Sequence, residues 1–527
     1  MLRDTFLGLD LSTQGLKATI IDSELSIVFE TAVNFDQDLP EFGTEGGALI
    51  DGETVTAPSL MFVKALDLVL KHLSESDIDL SNIKAISGSG QQHGSVWLNA
   101  SARVRLSSLS PTMTLAEQLT NIFSMSNGPI WMDSSTGKYC EELESIIGGS
   151  KELARITGSR AFERFTGNQI AKYFYCQPEI YKKTERISLI SSFIPSLLIG
   201  NFASIDFSDG SGMNILDINE KHWDETALNY VGGNKLQGKL GKPLASHTVA
   251  GNISKYFVER YGFASDCAVV LFSGDNPNSL AGLAVTGPND VIISMGTSDT
   301  IFGATEKTTP SEKRGHVFIS PMNPDSFMVM LVRQNGSLTR EKVRDQWANA
   351  SWKTFTEMLH KTPAGNNGKI GFYFFTPEIT PAIKNTGVFR FDSNGQKTDT
   401  FSPEEEARAV FESQFMSLRL HSEQFGLNPN LIIATGGASV DRALTQIISD
   451  IFGKPVAIGD TPDSAAMGAA YRALHGYICN KEGRYVPYTD VTAKAIQPKI
   501  VSEPNMSNHE TYSNLLPRFE ELEETLK

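Results

Sequence analysis

Hydrophobic and polar positions along this chain repeatedly form short apolar runs that stop in small polar turns. Across residues 5–33 an apolar run enters a Ser-Thr-Gln-Gly turn, a second run ends at Asp22, and a third follows a short turn. That pattern predicts a three-strand antiparallel meander. Val63, Leu66, Leu70 and Leu73 then recur at helical spacing on one face. A strand is expected to enter the polar loop that ends Gly90-Gln91-Gln92-His93-Gly94, and helices are expected around residues 136–147 and 179–198.

The later part of the chain repeats this grammar. A strand over 268–272 precedes a small-residue helix from Ser279 and a hairpin over 290–303. Another strand near 431–437 enters Gly436-Gly437, followed by an amphipathic helix carrying Leu444, Ile447, Ile448 and Ile451. After a short strand over 456–459, Ala466, Ala469, Ala470 and Ala473 form one small-residue stripe that predicts unusually close helix packing. Two successive mixed sets imply an α/β fold of two domains. The expected divisions are 1–262, 263–480 and an extension over 481–527 that wraps the surface before a last helix over 512–526.

Length agrees, since 527 residues exceed what one core organises. A net charge of -15 argues against a basic nucleic-acid grip. Nucleotide triphosphate remains compatible, because Mg²⁺ and backbone N–H groups can carry phosphate charge. Four widely spaced cysteines supply neither a paired zinc motif nor a disulfide framework, so a reducing, cytoplasmic setting is expected. Arg3, Asp4 and Asp10 interrupt any signal-like apolar run. Residues 187–200 are too short to cross a membrane and read as a buried helix or helix pair.

Three strand-into-turn units carry the candidate chemistry: Asp10-Leu11-Ser12-Thr13, Ser273-Gly274-Asp275-Asn276 and Gly296-Thr297-Ser298. Phosphoryl transfer needs a metal near the phosphates, donors around the moving group and a carboxylate for the acceptor proton. Asp275 is the candidate general base, its alternative being the cap of the next helix. Asp10 either holds Mg²⁺ or closes a hairpin turn. Thr13, Gln14 and Gly15, like Gly296, Thr297 and Ser298, either clamp a polyphosphate or are simply turns. Gly436 and Gly437, before a helix that begins near Asp441, suit the close approach of ATP.

Asn276 and His93 could contact sugar oxygens or serve local structure. Arg164 could fork onto two hydroxyls or pair with Glu163 and Glu152 at the surface. Asp133 reads as a helix cap. Residues 233–240 imitate a phosphate-binding loop, but Leu240 stands where a hydroxyl must meet Mg²⁺. A basic surface turn is the expectation there.

Taken together, Asp10-Leu11-Ser12-Thr13, Gln92-His93-Gly94, Ser208-Asp209-Gly210-Ser211-Gly212, Gly274-Asp275-Asn276, Gly296-Thr297-Ser298 and Gly436-Gly437 resemble the FGGY carbohydrate kinases in order. Gln91 to Gly94, Glu163 to Gln169 and Trp131 to Ser135 look like the eukaryotic xylulose kinase branch. The resemblance implies two ribonuclease-H-like domains of the actin, hexokinase and heat-shock ATPase type, with ATP and sugar in a cleft. It implies a sugar contacted by His93, Arg164, Asp275 and Asn276, with Trp352, Gly436, Gly437 and Asp441 bordering the nucleotide. Trp347 competes with Trp352 for that role, and Asp441 stands where the branch implies Asn. The expected partners are a small sugar and MgATP, with no nucleic acid or membrane, in a monomer or homodimer. Alternatives are a family member acting on ribulose, gluconate or glycerol, an actin-like ATPase with a protein partner, or an inactive sugar sensor.

Overall fold

The computed structural model describes residues 4–283, 290–459, 463–495 and 497–527. The chain forms two compact units. One comprises Met1–Val285, Phe318–Phe327 and Thr461–Ala495, and the other Thr286–Val317, Met328–Asp460 and Ile496–Lys527.

In the first unit, Thr5–Leu11, Gly15–Asp22 and Ile27–Asn34 form the expected antiparallel meander. Its inner face, with Leu9, Leu11, Leu16 and Ile20, shares a core with Val63, Leu66, Leu70 and Leu73 of the helix Ser59–Ser74. Strand Thr5–Leu11 also pairs in parallel with Ile83–Gly90, which pairs in parallel with Ala268–Val270. Antiparallel Val249–Asn252 closes that edge of the sheet.

The second unit repeats the scheme. Val291–Met295 and Asp299–Thr305 form the expected hairpin, and Val291–Met295 pairs in parallel with Ile432–Thr435, which pairs with Val456–Ile458. Antiparallel Lys499–Ser502 closes this edge. Each sheet thus combines an antiparallel hairpin with parallel strands, the arrangement expected of ribonuclease-H-like halves.

Several expectations are corrected. The strand Ala268–Val270 belongs to the first sheet, so the 262/263 division falls inside the first unit. Residues 463–480 also lie with that unit. The reason is the small-residue stripe of helix Ser464–Glu482. A side chain at Gly8 would collide with the backbone of Ala466 and Ala470, and one at Gly468 with the Asn278 carbonyl. Only such surfaces let a helix lie this near its neighbours.

Residues 179–198 are not continuously helical. Strand Thr184–Leu189, antiparallel to Ser95–Asn99, separates helices Pro178–Lys183 and Ile190–Ile199. The helix expected from Ser279 begins at Asp275, with Pro277 in its first turn, where no N–H is required. The last helix begins at Met506, because Asn505 accepts hydrogen bonds from the N–H groups of Ser507 and Asn508. The segment ahead of it holds helix Tyr488–Thr492 as well as the edge strand Lys499–Ser502. Among the described residues, no helix is long and apolar enough to cross a membrane.

Candidate active site

Strand register decides which side chains meet in the first unit. Asp10 pairs with Ser89, and Ser273 pairs with that same Ser89, so three strands bring Asp10 and the Ser273-Gly274-Asp275 turn together at their carboxyl ends. In open α/β sheets ligands gather at this end of the strands.

Ser89 Oγ donates to Asp10 Oδ1. Burial, reinforced by the charges of Asp275 and Asp463, pushes the Asp10 carboxyl up to about 7 against the Ser89 bond and Lys17. Asp10 does not close the hairpin turn. Ser12 does that, its N–H and Oγ both donating to the Gly15 carbonyl at 3.0 and 3.2 Å. Thr13, at the tip, accepts a 3.0 Å hydrogen bond from Trp131 Nε1.

Asp275 is not a helix cap either. Gly274 holds the cap position, and Asp275 opens helix Asp275–Gly282. Its Oδ1 accepts from Asn276 N at 2.8 Å and Nδ2 at 3.2 Å, while Asn276 Nδ2 also reaches Gln92 Oε1 at 3.0 Å. Burial raises the Asp275 carboxyl to about 6, opposed by the N–H groups of Asn276 and Gln92. Such a carboxylate is ionised at neutral pH yet basic enough to accept a proton.

His93 adopts φ +69° in its polar loop. Its ring stacks on Phe165 at 4.4 Å, and Nδ1 lies 2.9 Å from the Gly212 carbonyl, which can only accept. The proton therefore sits on Nδ1, leaving Nε2 as an acceptor. Burial and the nearby Arg164 charge drive the ring down to about 3, so it is neutral. Arg164 lies over the Phe162 ring, and burial lowers its pKa. The charge of neighbouring Glu163 works against that lowering, while Glu152 holds Arg155 at 2.7 Å.

Asp133 is a correction. Thr136 occupies the cap of helix Gly137–Ile147, and buried Asp133 instead accepts from Val55 N, Ser135 N and Gln169 Nε2. It thereby ties the Trp131–Ser135 motif to the Glu163–Gln169 motif. Residues 233–240 form a 3₁₀ turn and the short helix Leu236–Leu240, with no strand leading into them.

In the second unit, Val291–Met295 delivers Gly296 and Thr297, and Ile432–Thr435 delivers Gly436. Gly436 has φ +86°, and any Cβ there would strike the Met295 carbonyl, so its turn lies against the strand that feeds Gly296. Asp441 caps helix Arg442–Phe452, accepting from Ala443 N at 2.8 Å and Leu444 N at 3.4 Å. The positive N-terminal end of this helix is thus met by its own carboxylate. Thr356 Oγ1 donates to Asp441 Oδ2 at 2.6 Å, joining the helix Trp352–Leu359 to this turn. Trp352 is 41% exposed beneath the Arg344 guanidinium at 4.5 Å, whereas Trp347 ends the preceding helix Ser337–Trp347.

Residues 5–282 match the model of the FGGY family of carbohydrate kinases, N-terminal domain, and residues 291–477 match that of the C-terminal domain. The chain belongs to the FGGY family of carbohydrate kinases. It is similar to the xylulose kinase of Mus musculus, at 48% identity over 99% of this chain and 94% of that protein. Xylulose kinase 2 of Arabidopsis thaliana is also 48% identical, covering 92% and 89% of the two chains. The crystal structure of xylulose kinase from Rhodospirillum rubrum superposes with a TM-score of 0.81 at 16% identity, covering 99% of both chains, which establishes the shared fold.

For an FGGY kinase the sequence left out several neighbours of the site. Gln92 lay within a quoted motif without a role, and Ser89, just ahead of that motif, is found by strand register. Lys17 lies 2.6 Å from Asp463, a pairing that no local pattern announces. Among the described residues, no group of three His, Cys, Asp or Glu could by itself hold a metal ion.

Proposed function

We propose that this FGGY kinase transfers the γ-phosphoryl group of MgATP to the 5-hydroxyl of D-xylulose, giving ADP and D-xylulose 5-phosphate. The reading rests on the surroundings of Asp275: a carboxylate tuned to about 6 in the same unit as neutral, acceptor-bearing His93 and cationic Arg164. Relatives of nearly half identity over the whole chain are named xylulose kinases, which favours this ketopentose over ribulose, gluconate or glycerol.

In this mechanism His93 Nε2 accepts a sugar hydroxyl hydrogen, and Arg164 donates to two further oxygens. Asn276 contacts the sugar while fixing the Asp275 carboxylate. Asp275 takes the 5-hydroxyl proton as that oxygen bonds to the γ-phosphorus, and the bond to the β,γ-bridging oxygen breaks to release ADP. Trp131 donates into Thr13, so the Thr13 hydroxyl keeps its own hydrogen for a phosphate oxygen.

Asp10 fits a Mg²⁺ ligand. Its buried carboxyl stands next to a second carboxylate and is raised to about 7, a condition that a neighbouring cation relieves. A Mg²⁺ held by Asp10 would neutralise charge on the phosphates. Gly296 and Thr297 are assigned to phosphate, and Trp352, Gly436, Gly437 and Asp441 to the rest of ATP. Free thiols at Cys140, Cys176, Cys267 and Cys479 support a reducing cytoplasmic setting, where the product would enter pentose phosphate metabolism.

The test is an ADP-release assay across D-xylulose, D-ribulose, D-gluconate and glycerol. D-xylulose should give the highest kcat/KM. Higher kcat/KM with another acceptor overturns the substrate, and equal ADP release with no sugar overturns the kinase.

A further inference from the structure

Asp209 belongs to the Ser208–Gly212 motif, yet the proposed mechanism gives it no task. It is 1% exposed. Ser191 Oγ, on helix Ile190–Ile199, donates to its Oδ2 at 2.5 Å, and Asp206 Oδ1 accepts from its backbone N–H at 3.0 Å. Oδ1 is buried and closes no hydrogen bond of ordinary geometry within the protein. An orphan atom of this kind on a buried carboxyl is costly unless it acts on something nearby.

What lies nearby is the frame of Asp275. A Cβ built on Gly274 would stand 2.9 Å from Asp209 Oδ1 and 2.9 Å from Gln92 Cδ, so the residue before Asp275 is wedged between the two. Gln92 Oε1 is held by Asn276 Nδ2, which leaves the Gln92 amide nitrogen, also without an ordinary partner, on the opposite side. The Gln92 amide favours the ionised form of Asp209, which places the two groups within electrostatic reach. Gln92 in turn supports Asp275 twice, by its backbone N–H and through Asn276. The same motif ends in Gly212, whose carbonyl fixes the His93 tautomer.

We infer that Asp209 is a positioning residue for the phosphoryl-transfer step: anchored by Ser191, it braces Gln92 and Gly274 and thereby holds Asp275 and Asn276 in reactive orientation. This rests on the reading of Asp275 as the base. The charged groups facing Asp209 are Asp206, Asp275 and Arg472. Burial beside two carboxylates raises the Asp209 carboxyl well above the usual range, so a neutral side chain of the same shape should serve. Misplacing a reacting group by 1 Å costs on the order of 100-fold in rate.

The experiment measures kcat, the KM of each substrate and the pH dependence of kcat/KM for D-xylulose in Asp209→Asn, Asp209→Ala and Ser191→Ala. Asp209→Asn should stay within about threefold of wild type. Asp209→Ala should lose about tenfold or more in kcat with the ATP KM unchanged, and its acid limb should move to higher pH as Asp275 loses its N–H support. Ser191→Ala should lose the same parameter by less, and it keeps the test alive if Asp209→Ala does not fold. Wild-type kinetics in Asp209→Ala, or in Ser191→Ala where Asp209→Ala fails to fold, overturn the inference, as does an Asn variant as impaired as Ala. Full turnover in Asp275→Asn would instead overturn the reading of the base.

Discussion

Lys17 faces Asp10 directly in the antiparallel register of the first hairpin, and its ammonium turns to Asp463 at 2.6 Å. Lys17 draws the Asp10 carboxyl down, whereas Asp463 pushes it up. Lys17→Met should therefore leave Asp10 harder to ionise. The apparent KM for Mg²⁺ at pH 7 should rise about threefold or more and recover toward wild type by about pH 8.5, where Asp10 regains its charge. An unchanged Mg²⁺ titration would separate Lys17 from Asp10.

Asp275→Asn should keep the fold and sugar affinity while reducing turnover about 100-fold or more. A variant with wild-type turnover removes Asp275 from the mechanism.

The same carboxyl links activity to stability. Burial raises it from 3.8 to about 6, so the folded protein holds its proton more tightly than the unfolded chain. The stability gained from that proton is full below the unfolded value and disappears as pH rises through about 6. Asp275→Asn should consequently melt above wild type at pH 8, with the gap shrinking toward pH 4, whereas kcat/KM of the wild type should fall as pH drops below about 6. Paired thermal melts at the two pH values check the first, and a pH–rate profile checks the second. A gap that widens at low pH contradicts the assignment.

His93 titrates far below neutrality, near 3, and should therefore contribute no limb to sugar binding between pH 5 and 8. Titrating D-xylulose into Asp275→Asn across this range isolates His93. A binding change centred near 6.5 would show an imidazole more exposed and more basic than its stack on Phe165 allows.

At the second unit, Asp441→Ala removes a helix cap and the partner of Thr356, and should cost about 1–2 kcal/mol of stability. It should also raise the ATP KM, whereas Asp441→Asn should retain most of both. Denaturant melts and ATP kinetics on the two variants check this; an Asn variant as unstable as Ala would show that charge, not capping, is what matters.

Much of the architecture was legible because it is local. Alternating apolar residues between polar turns defined both hairpins, and 3.6-residue spacing defined helices Ser59–Ser74 and Arg442–Phe452. The Ala466 to Ala473 stripe announced close packing, though not against what. The strand Thr184–Leu189 escapes a sequence reading because only Ile187 and Leu189 of its six residues are apolar, too short an alternation to separate it from the apolar helix that follows. Asp133 looked like a cap because a carboxylate just ahead of a helix usually is one. Its partners, Val55 and Gln169, come from distant segments.

The amino-acid order alone therefore determined the strand-into-turn units, the residue types that can carry phosphoryl chemistry, and the family whose motifs they follow. Tertiary structure decided which of those turns adjoin. Asp10 and the Asp275 turn meet only because their strands share Ser89 as a register neighbour. The Gly468 stripe carries a late helix back onto Gly8 and Asn278, which places Asp463 beside Lys17. Burial and the company of like charges then set the proton affinities of these carboxyls, and both arise only when segments far apart in sequence pack together.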